Sequence, residues 1–111
     1  MRSVRVESAP VVTAPDGSAV RILPTVGGAS MVHASLPSCA VTQAVYHRTV
    51  EDLWYCVDGV GRLWRSNDGE ESVIDLSPGV SASIPLGVRF QFRNDGDGVL
   101  EIVIATAPLW P

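Results

Sequence analysis

His47 and Asp52 are the residues of this sequence whose types and spacing best suit chemistry. They stand five positions apart, and a histidine with an ordinary pKa of about 6.5 can accept or donate a proton at neutral pH. A carboxylate beside the imidazole can orient it and stabilise its protonated form. The pair therefore predicts proton transfer, with His47 as the acid or base and Asp52 as its partner. Two other interpretations stay open: a hydrogen-bonded His47 without chemistry, and an Asp52 in a solvated loop.

The chain around this pair consists of short segments with the composition of β-strands. They are rich in valine, isoleucine, threonine and aromatic residues, and turn signals such as Pro15-Asp16-Gly17 and Asp58-Gly59 separate them. No window of eleven or more residues has a convincing helical apolar period, and strands about 8 to 12 residues apart favour an all-β sandwich or small barrel. The predicted strands are 20–23, 30–36, 40–47, 53–57, 61–66, 71–76, 80–85, 88–93 and 99–106.

Turn chemistry predicts how some of these strands are joined. The clusters SNDGEES (66–72) and RNDGDGV (93–99) contain Asp-Gly, which favours the turns of β-hairpins, so both are predicted to be hairpin ends. One domain is expected over residues 1–111, with terminal arms at 1–15 and 107–111, because prolines remove donors from a β-ladder.

Alternation along the strands predicts which side chains share a face. Within one strand, Asp52, Trp54 and Cys56 are on the same face. In two other strands, Phe90 shares a face with Phe92, and Val45 shares a face with His47. Together they describe a mainly apolar lumen with few polar groups, which suits a small-molecule pocket and equally a filled barrel. The candidate ligand-binding residues are Val45, Trp54, Cys56, Phe90, Phe92 and His33, the last in a separate strand.

A motif in the second half of the chain resembles the cupin superfamily. Gly79, Pro85, Gly87 and Asn94 occupy the spacing G-x5-P-x-G-x2-H-x3-N, the second cupin motif, and Phe90 stands at its histidine place. The resemblance implies a jelly-roll barrel of two antiparallel sheets.

The first cupin motif, G-x5-H-x-H-x3,4-E-x6-G, is matched more loosely by residues 39–59. Ending it at Gly59 places Asp52 at the glutamate, His47 at the second histidine and Val45 at the first, with Cys39 at the opening glycine. A register with a shorter gap would place Tyr46 and Arg48 at the histidines instead.

Metal-dependent cupins are expected to hold their ion at the positions that differ here. One imidazole and one carboxylate are a poor set of ligands for a first-row metal, so no metal site and no cofactor are predicted. A metal site completed by His33 or Cys56 stays open as an alternative. The resemblance also implies a homodimer, for which Val4, Val6 and Trp110 are candidate contacts.

Charge and composition limit the partners. Eight basic residues against twelve acidic ones give a net charge of -4 and a pI near 4.9, so nucleic acid and membranes are not expected partners. No apolar run reaches the roughly 18 residues of a membrane span, and the amino terminus lacks a signal-peptide core. A cytoplasmic protein with two free thiols, Cys39 and Cys56, is predicted.

Three functions follow as hypotheses. The first is a metal-poor cupin that binds a small organic ligand and catalyses isomerisation, epimerisation or cyclisation through His47 and Asp52, as some cupin-fold sugar epimerases do with a histidine and aspartate pair. The second is a metal-dependent, dioxygenase-like enzyme. The third is a structural or regulatory module whose lumen has no room for more than a few waters.

Overall fold

A computed structural model of the protein describes residues 1–109, so the predicted dimer contact of Trp110 lies outside the described residues. Ten strands follow one short 3-10 helix, Val6–Ser8. The strands are β1 Val11–Thr13, β2 Ala19–Val26, β3 Ala29–Leu36, β4 Val45–Tyr46, β5 Glu51–Asp58, β6 Gly61–Asn67, β7 Glu70–Leu76, β8 Ser81–Ile84, β9 Arg89–Asn94 and β10 Leu100–Ala107. No helix in the described part of the chain is long and apolar enough to cross a membrane.

The strands form two antiparallel sheets. One has six strands in the order β1-β2-β3-β10-β5-β8, and the other has four in the order β4-β9-β6-β7. Alternating residues of both sheets are buried and form one apolar cluster, because each strand turns every second side chain inward. The cluster includes Val32, Trp54 and Ile102 from the larger sheet and Leu63, Phe90 and Phe92 from the smaller one. The predicted all-β jelly roll is confirmed.

The segment 40–47 forms much less strand than predicted. Only Val45 and Tyr46 pair with β9 over two residues, and Val41 adds an isolated bridge. Between them the Thr42 hydroxyl lies 3.2 Å and 3.1 Å from the backbone O and N of Phe92, while the Gln43 N–H donates to the carbonyl of Asp16. Because these hydrogen bonds replace those of a regular β-ladder, the segment is not a continuous strand. It is an irregular connection that crosses from one sheet to the other.

The predicted turn at 66–72 is confirmed. It joins β6 and β7 as an antiparallel hairpin whose register runs from Asn67–Glu70 to Gly61–Leu76. Asp68 and Gly69 have φ values of 48° and 87°, the left-handed conformations that a tight hairpin turn requires and that Asp-Gly adopts readily.

The predicted hairpin at 93–99 is wrong. This segment leaves β9 in the four-stranded sheet and enters β10 in the six-stranded sheet, so it connects the two layers. The buried Asn94 amide holds the crossing by donating to the carbonyls of Leu36 and Gly98 at 2.9 and 2.7 Å. Its Oδ1 accepts a hydrogen bond from Gly96. Turn composition could not reveal this, because a local Asp-Gly signal does not specify which strands pair.

Gly59 is required at the end of β5. Its φ is 91°, and a Cβ added there would lie 2.7 Å from the carbonyl oxygen of Val99. A side chain is therefore excluded both by backbone conformation and by the close approach of β10.

Candidate functional site

The cavity at the open side of the barrel is lined mainly by apolar side chains. It has a volume of about 70 Å³ and is partly open to solvent. The wall is built from the inner faces of both sheets, from β4 and from the turn between β1 and β2. Its lining residues are Ala14, Pro15, Asp16, Ser18, Val20, Val32, Val45, Tyr46, His47, Asp52, Trp54, Phe90, Phe92, Ile104 and Thr106.

His47 and Asp52 meet at this cavity. His47 directly follows β4 and Asp52 is the second residue of β5, and the loop between them brings the imidazole Nε2 to 3.3 Å from Asp52 Oδ2. The Asp52 side chain is 4% exposed and that of His47 is 18% exposed. The carboxylate therefore lies inside the barrel while the imidazole reaches solvent.

Two further donors fix the Asp52 carboxylate. The indole Nε1–H of Trp54 donates to Oδ2 at 3.3 Å, and the Thr106 hydroxyl donates to Oδ1 at 3.1 Å. Both oxygens thus have partners, as buried polar groups require. The arrangement can hold an imidazole in one orientation and stabilise a positive charge on it.

Aromatic rings complete the inner wall beside the pair. Phe90, at the histidine place of the second motif, has its ring centroid 5.3 Å from that of His47. Trp54 meets Phe90 and Phe92 edge to face, with centroids 5.8 and 4.9 Å apart. Edge-to-face contacts of this kind are favourable and directional, so the rings restrict how the wall can rearrange.

Two of the predicted ligand-binding residues lie away from the cavity wall. Cys56 is buried in the core beyond Trp54, and burial raises the pKa of its thiol. His33 lies on the outer face of the six-stranded sheet, where its Nε2 is 3.4 Å from Glu101 Oε1. Alternation along β3 puts His33 on the same face as Met31 and Ser35, and this pattern alone does not indicate which face of the sheet is inside.

Several cavity residues were not predicted from the sequence. Thr106 reaches Asp52 across the β5–β10 pairing. The only feature of the sequence that could have indicated it is a hydroxyl side chain in a strand that is otherwise mostly apolar. The turn at residues 14–18 enters the wall because Asp16 Oδ1 accepts hydrogen bonds from the Ser18 N–H and hydroxyl. Thr106 reaches the site through pairing between distant strands, and the turn at 14–18 is joined to the distant residue Gln43, whose N–H donates to the Asp16 carbonyl.

The residues at the cupin metal positions do not fit a metal ion. Val45 and Phe90 offer no ligand atom, and the Asp52 carboxylate already accepts bonds from Trp54 and Thr106. Among residues 1–109, no group of three or more histidine, cysteine, aspartate or glutamate side chains is placed to hold an ion. A first-row metal needs several such ligands, so no chemical step is assigned to one here.

The two-sheet barrel with a cavity between its layers defines a jelly-roll protein of the kind found among cupins. The sequence profile described as "Cupin domain" matches residues 32–106. The chain therefore belongs to the cupin family.

Solved structures agree on the fold. KdgF from Halomonas sp. is 16% identical with a TM-score of 0.79, covering 97% of this chain and 94% of that one. An RmlC-like cupin from Shewanella frigidimarina is 18% identical with a TM-score of 0.72, covering 97% and 91%. Drosophila melanogaster CENP-C bound to CAL1 is 16% identical with a TM-score of 0.77, covering 90% and 81%. The comparison with curated proteins finds no match.

Proposed function

We propose that this cupin binds a small organic molecule in its cavity and that His47 and Asp52 transfer a proton on it. The observation that carries the proposal is the placement of the pair. A buried carboxylate with one hydrogen-bond donor on each oxygen lies 3.3 Å from the Nε2 of an imidazole that reaches both an apolar cavity and solvent. A general acid or base must first lie within hydrogen-bonding reach of the proton that it transfers, and a side chain at the wall of a ligand cavity meets that requirement.

The roles within the pair follow from their contacts. His47 Nε2 lies 3.3 Å from Asp52 Oδ2, which leaves Nδ1 to accept or return a proton. Asp52 fixes the orientation and stabilises the imidazolium that forms. Isomerisation and epimerisation can proceed by such proton movements alone, and in a cyclisation the same pair would move the protons while the substrate's own atoms form the ring bond.

Binding is tested by following the tryptophan indole N–H signals in an NMR fragment screen. Trp54 lies in the cavity wall, and Trp64 is on a different strand and is absent from that wall, so Trp64 is an internal control. Fragments that enter the cavity are expected to shift the Trp54 signal and leave Trp64 unchanged. A screen in which no fragment shifts Trp54 would contradict the proposal.

Metal content gives an independent test against the dioxygenase-like alternative. Protein purified without chelator and incubated with iron, zinc, manganese, nickel or copper is expected to contain far less than one metal per chain, because the ligand set is incomplete. Elemental analysis measures the metal content per chain. About one equivalent per chain, lost in the His47→Ala variant, would make the metal-dependent enzyme the better account.

The small cavity favours one other function, a non-catalytic module that acts through its surface. A volume of about 70 Å³ has room for a few waters or a small part of a ligand, since one water needs roughly 10 to 15 Å³ of such space. Such a module would keep both its fold and its function when His47 is replaced. The fragment screen separates the two functions.

A homodimer is proposed for the outer face of the six-stranded sheet. Leu53, Tyr55 and Met31 are 64, 52 and 44% exposed there, and adjacent exposed apolar side chains of this kind mark interaction surfaces. We expect a dimer by light scattering coupled to size-exclusion chromatography. Leu53→Glu is expected to weaken it, while the control Val73→Glu, on the other sheet, is not. A monomer at all concentrations would contradict the dimer.

A further inference from the structure

Two arginines lie against one tyrosine at the edge of the cavity. The guanidinium carbons of Arg48 and Arg89 are each 5.8 Å from the centroid of the Tyr46 ring. Tyr46 and Arg89 face each other in the β4–β9 pairing, and Arg48 is two residues beyond Tyr46. Cation-π contacts within about 6 Å are favourable, so the ring holds both charges near one point on the surface.

Neither of these arginines has a carboxylate partner among residues 1–109. Arg5 pairs with Glu7, and Arg62 and Arg93 both pair with Asp95. The nearby acidic side chains are engaged elsewhere: Glu51 accepts a hydrogen bond from the Leu86 N–H and Asp52 holds His47. In an acidic protein with a net charge of -4, this is a local concentration of unneutralised positive charge.

The arginines are connected to the cavity through Tyr46. Tyr46 belongs to the cavity wall beside His47, and the Gly87 N–H donates to the His47 carbonyl, which ties this edge to the turn before β9. The cavity has a volume of about 70 Å³ and is partly open, so a larger ligand extends beyond it. Tyr46, which belongs both to the wall and to the arginine contacts, connects the cavity to Arg48 and Arg89.

We propose that Arg48, Tyr46 and Arg89 form an anion-recognition site at the cavity rim, and that the ligand is a small organic anion. Its apolar end enters the cavity, and its carboxylate or phosphate lies between the guanidiniums. This deepens the proposed function and rests on it, since it names the class of molecule that the same cavity takes.

The physical basis is that two guanidiniums without a carboxylate partner among the residues described lie against one ring, each with its central carbon 5.8 Å from the ring centroid. An anion that reaches both guanidiniums is attracted by two positive charges. Guanidinium groups bind carboxylate and phosphate oxygens through paired N–H donors. Screening over about 8 Å at physiological salt limits the influence of the distant carboxylates that make the net charge negative.

The test compares matched acids and amides at the same cavity. Phenylacetate and phenylacetamide, and butyrate and butyramide, are titrated into the full chain while the Trp54 indole signal is followed by NMR. The acids are expected to bind at least 10-fold more tightly than the amides at low salt, and less so as salt is added. In the Arg48→Gln/Arg89→Gln double variant the acids are expected to lose that advantage, while the amides keep their affinity.

Arg62→Gln/Arg93→Gln is the matched control, because it removes the same charge from arginines that pair with Asp95. Equal loss of acid binding in both double variants would overturn the rim site and assign the effect to net charge. Equal binding of acids and amides to the wild type would also overturn it while leaving the cavity as a binding site. No shift of Trp54 by any probe would overturn the proposed function itself.

Phenyl phosphate and inorganic phosphate then distinguish an organic anion from a free phosphate. Tighter binding of inorganic phosphate alone would contradict the organic ligand.

Discussion

Replacing Phe92 by alanine is expected to lower the free energy of unfolding by about 3 to 5 kcal/mol, the usual cost of removing a buried aromatic side chain. Phe92 is 1% exposed and meets Trp54 edge to face at 4.9 Å. The loss combines the transfer of a large apolar group with the space it leaves between the two sheets. Chemical denaturation followed by circular dichroism measures it.

Val73→Ala is the control for Phe92→Ala, because Val73 lies in the same four-stranded sheet but is 60% exposed. It is expected to change stability by less than about 0.5 kcal/mol, as surface substitutions do. A Phe92→Ala variant as stable as Val73→Ala would mean that the two sheets do not pack through this ring.

His47→Gln is expected to reduce catalysed proton exchange about 100-fold or more, the range over which positioned acids and bases act. The assay incubates the protein with a series of 2-oxo acids in D₂O and follows, by NMR, replacement of the protons next to the carbonyl carbon. In the proposed mechanism His47 Nδ1 takes the leaving proton, and a deuteron from solvent replaces it on the substrate. Glutamine preserves a polar side chain of similar reach and removes the titrating group.

His33→Gln controls for the removal of a histidine, since His33 lies on the outer face near Glu101. It is expected to leave exchange unchanged. Exchange that survives His47→Gln at the wild-type rate would remove His47 from the mechanism. Equal losses in both variants would point to a general effect on the fold instead of the cavity.

Local patterns in the sequence were enough to predict which side chains of β5 and β9 share a face. Asp52, Trp54 and Cys56 alternate as buried residues in β5, and Phe90 and Phe92 do so in β9. Alternation is a property of each strand alone, and the glycine and proline spacing of the second motif identified the family. These features required no knowledge of which strands become neighbours.

Features that depend on pairing between distant segments could not be predicted in the same way. Thr106 reaches Asp52 only because β10 lies beside β5. The segment 93–99 looked like a hairpin because its composition is that of a turn, whereas it connects the two sheets. The Tyr46 ring contacts Arg89 because β4 pairs with β9, and it contacts Arg48, which lies two residues further along the chain.

A crystal structure of the wild-type protein with the tightest-binding fragment of the NMR screen would show whether the cavity is a ligand site. We expect density for the fragment inside the cavity, against the Trp54 and Phe90 rings and within hydrogen-bonding reach of His47. Density for the fragment at another surface, with only water beside His47 and Asp52, would contradict a ligand-binding cavity and favour the module that acts through its outer face.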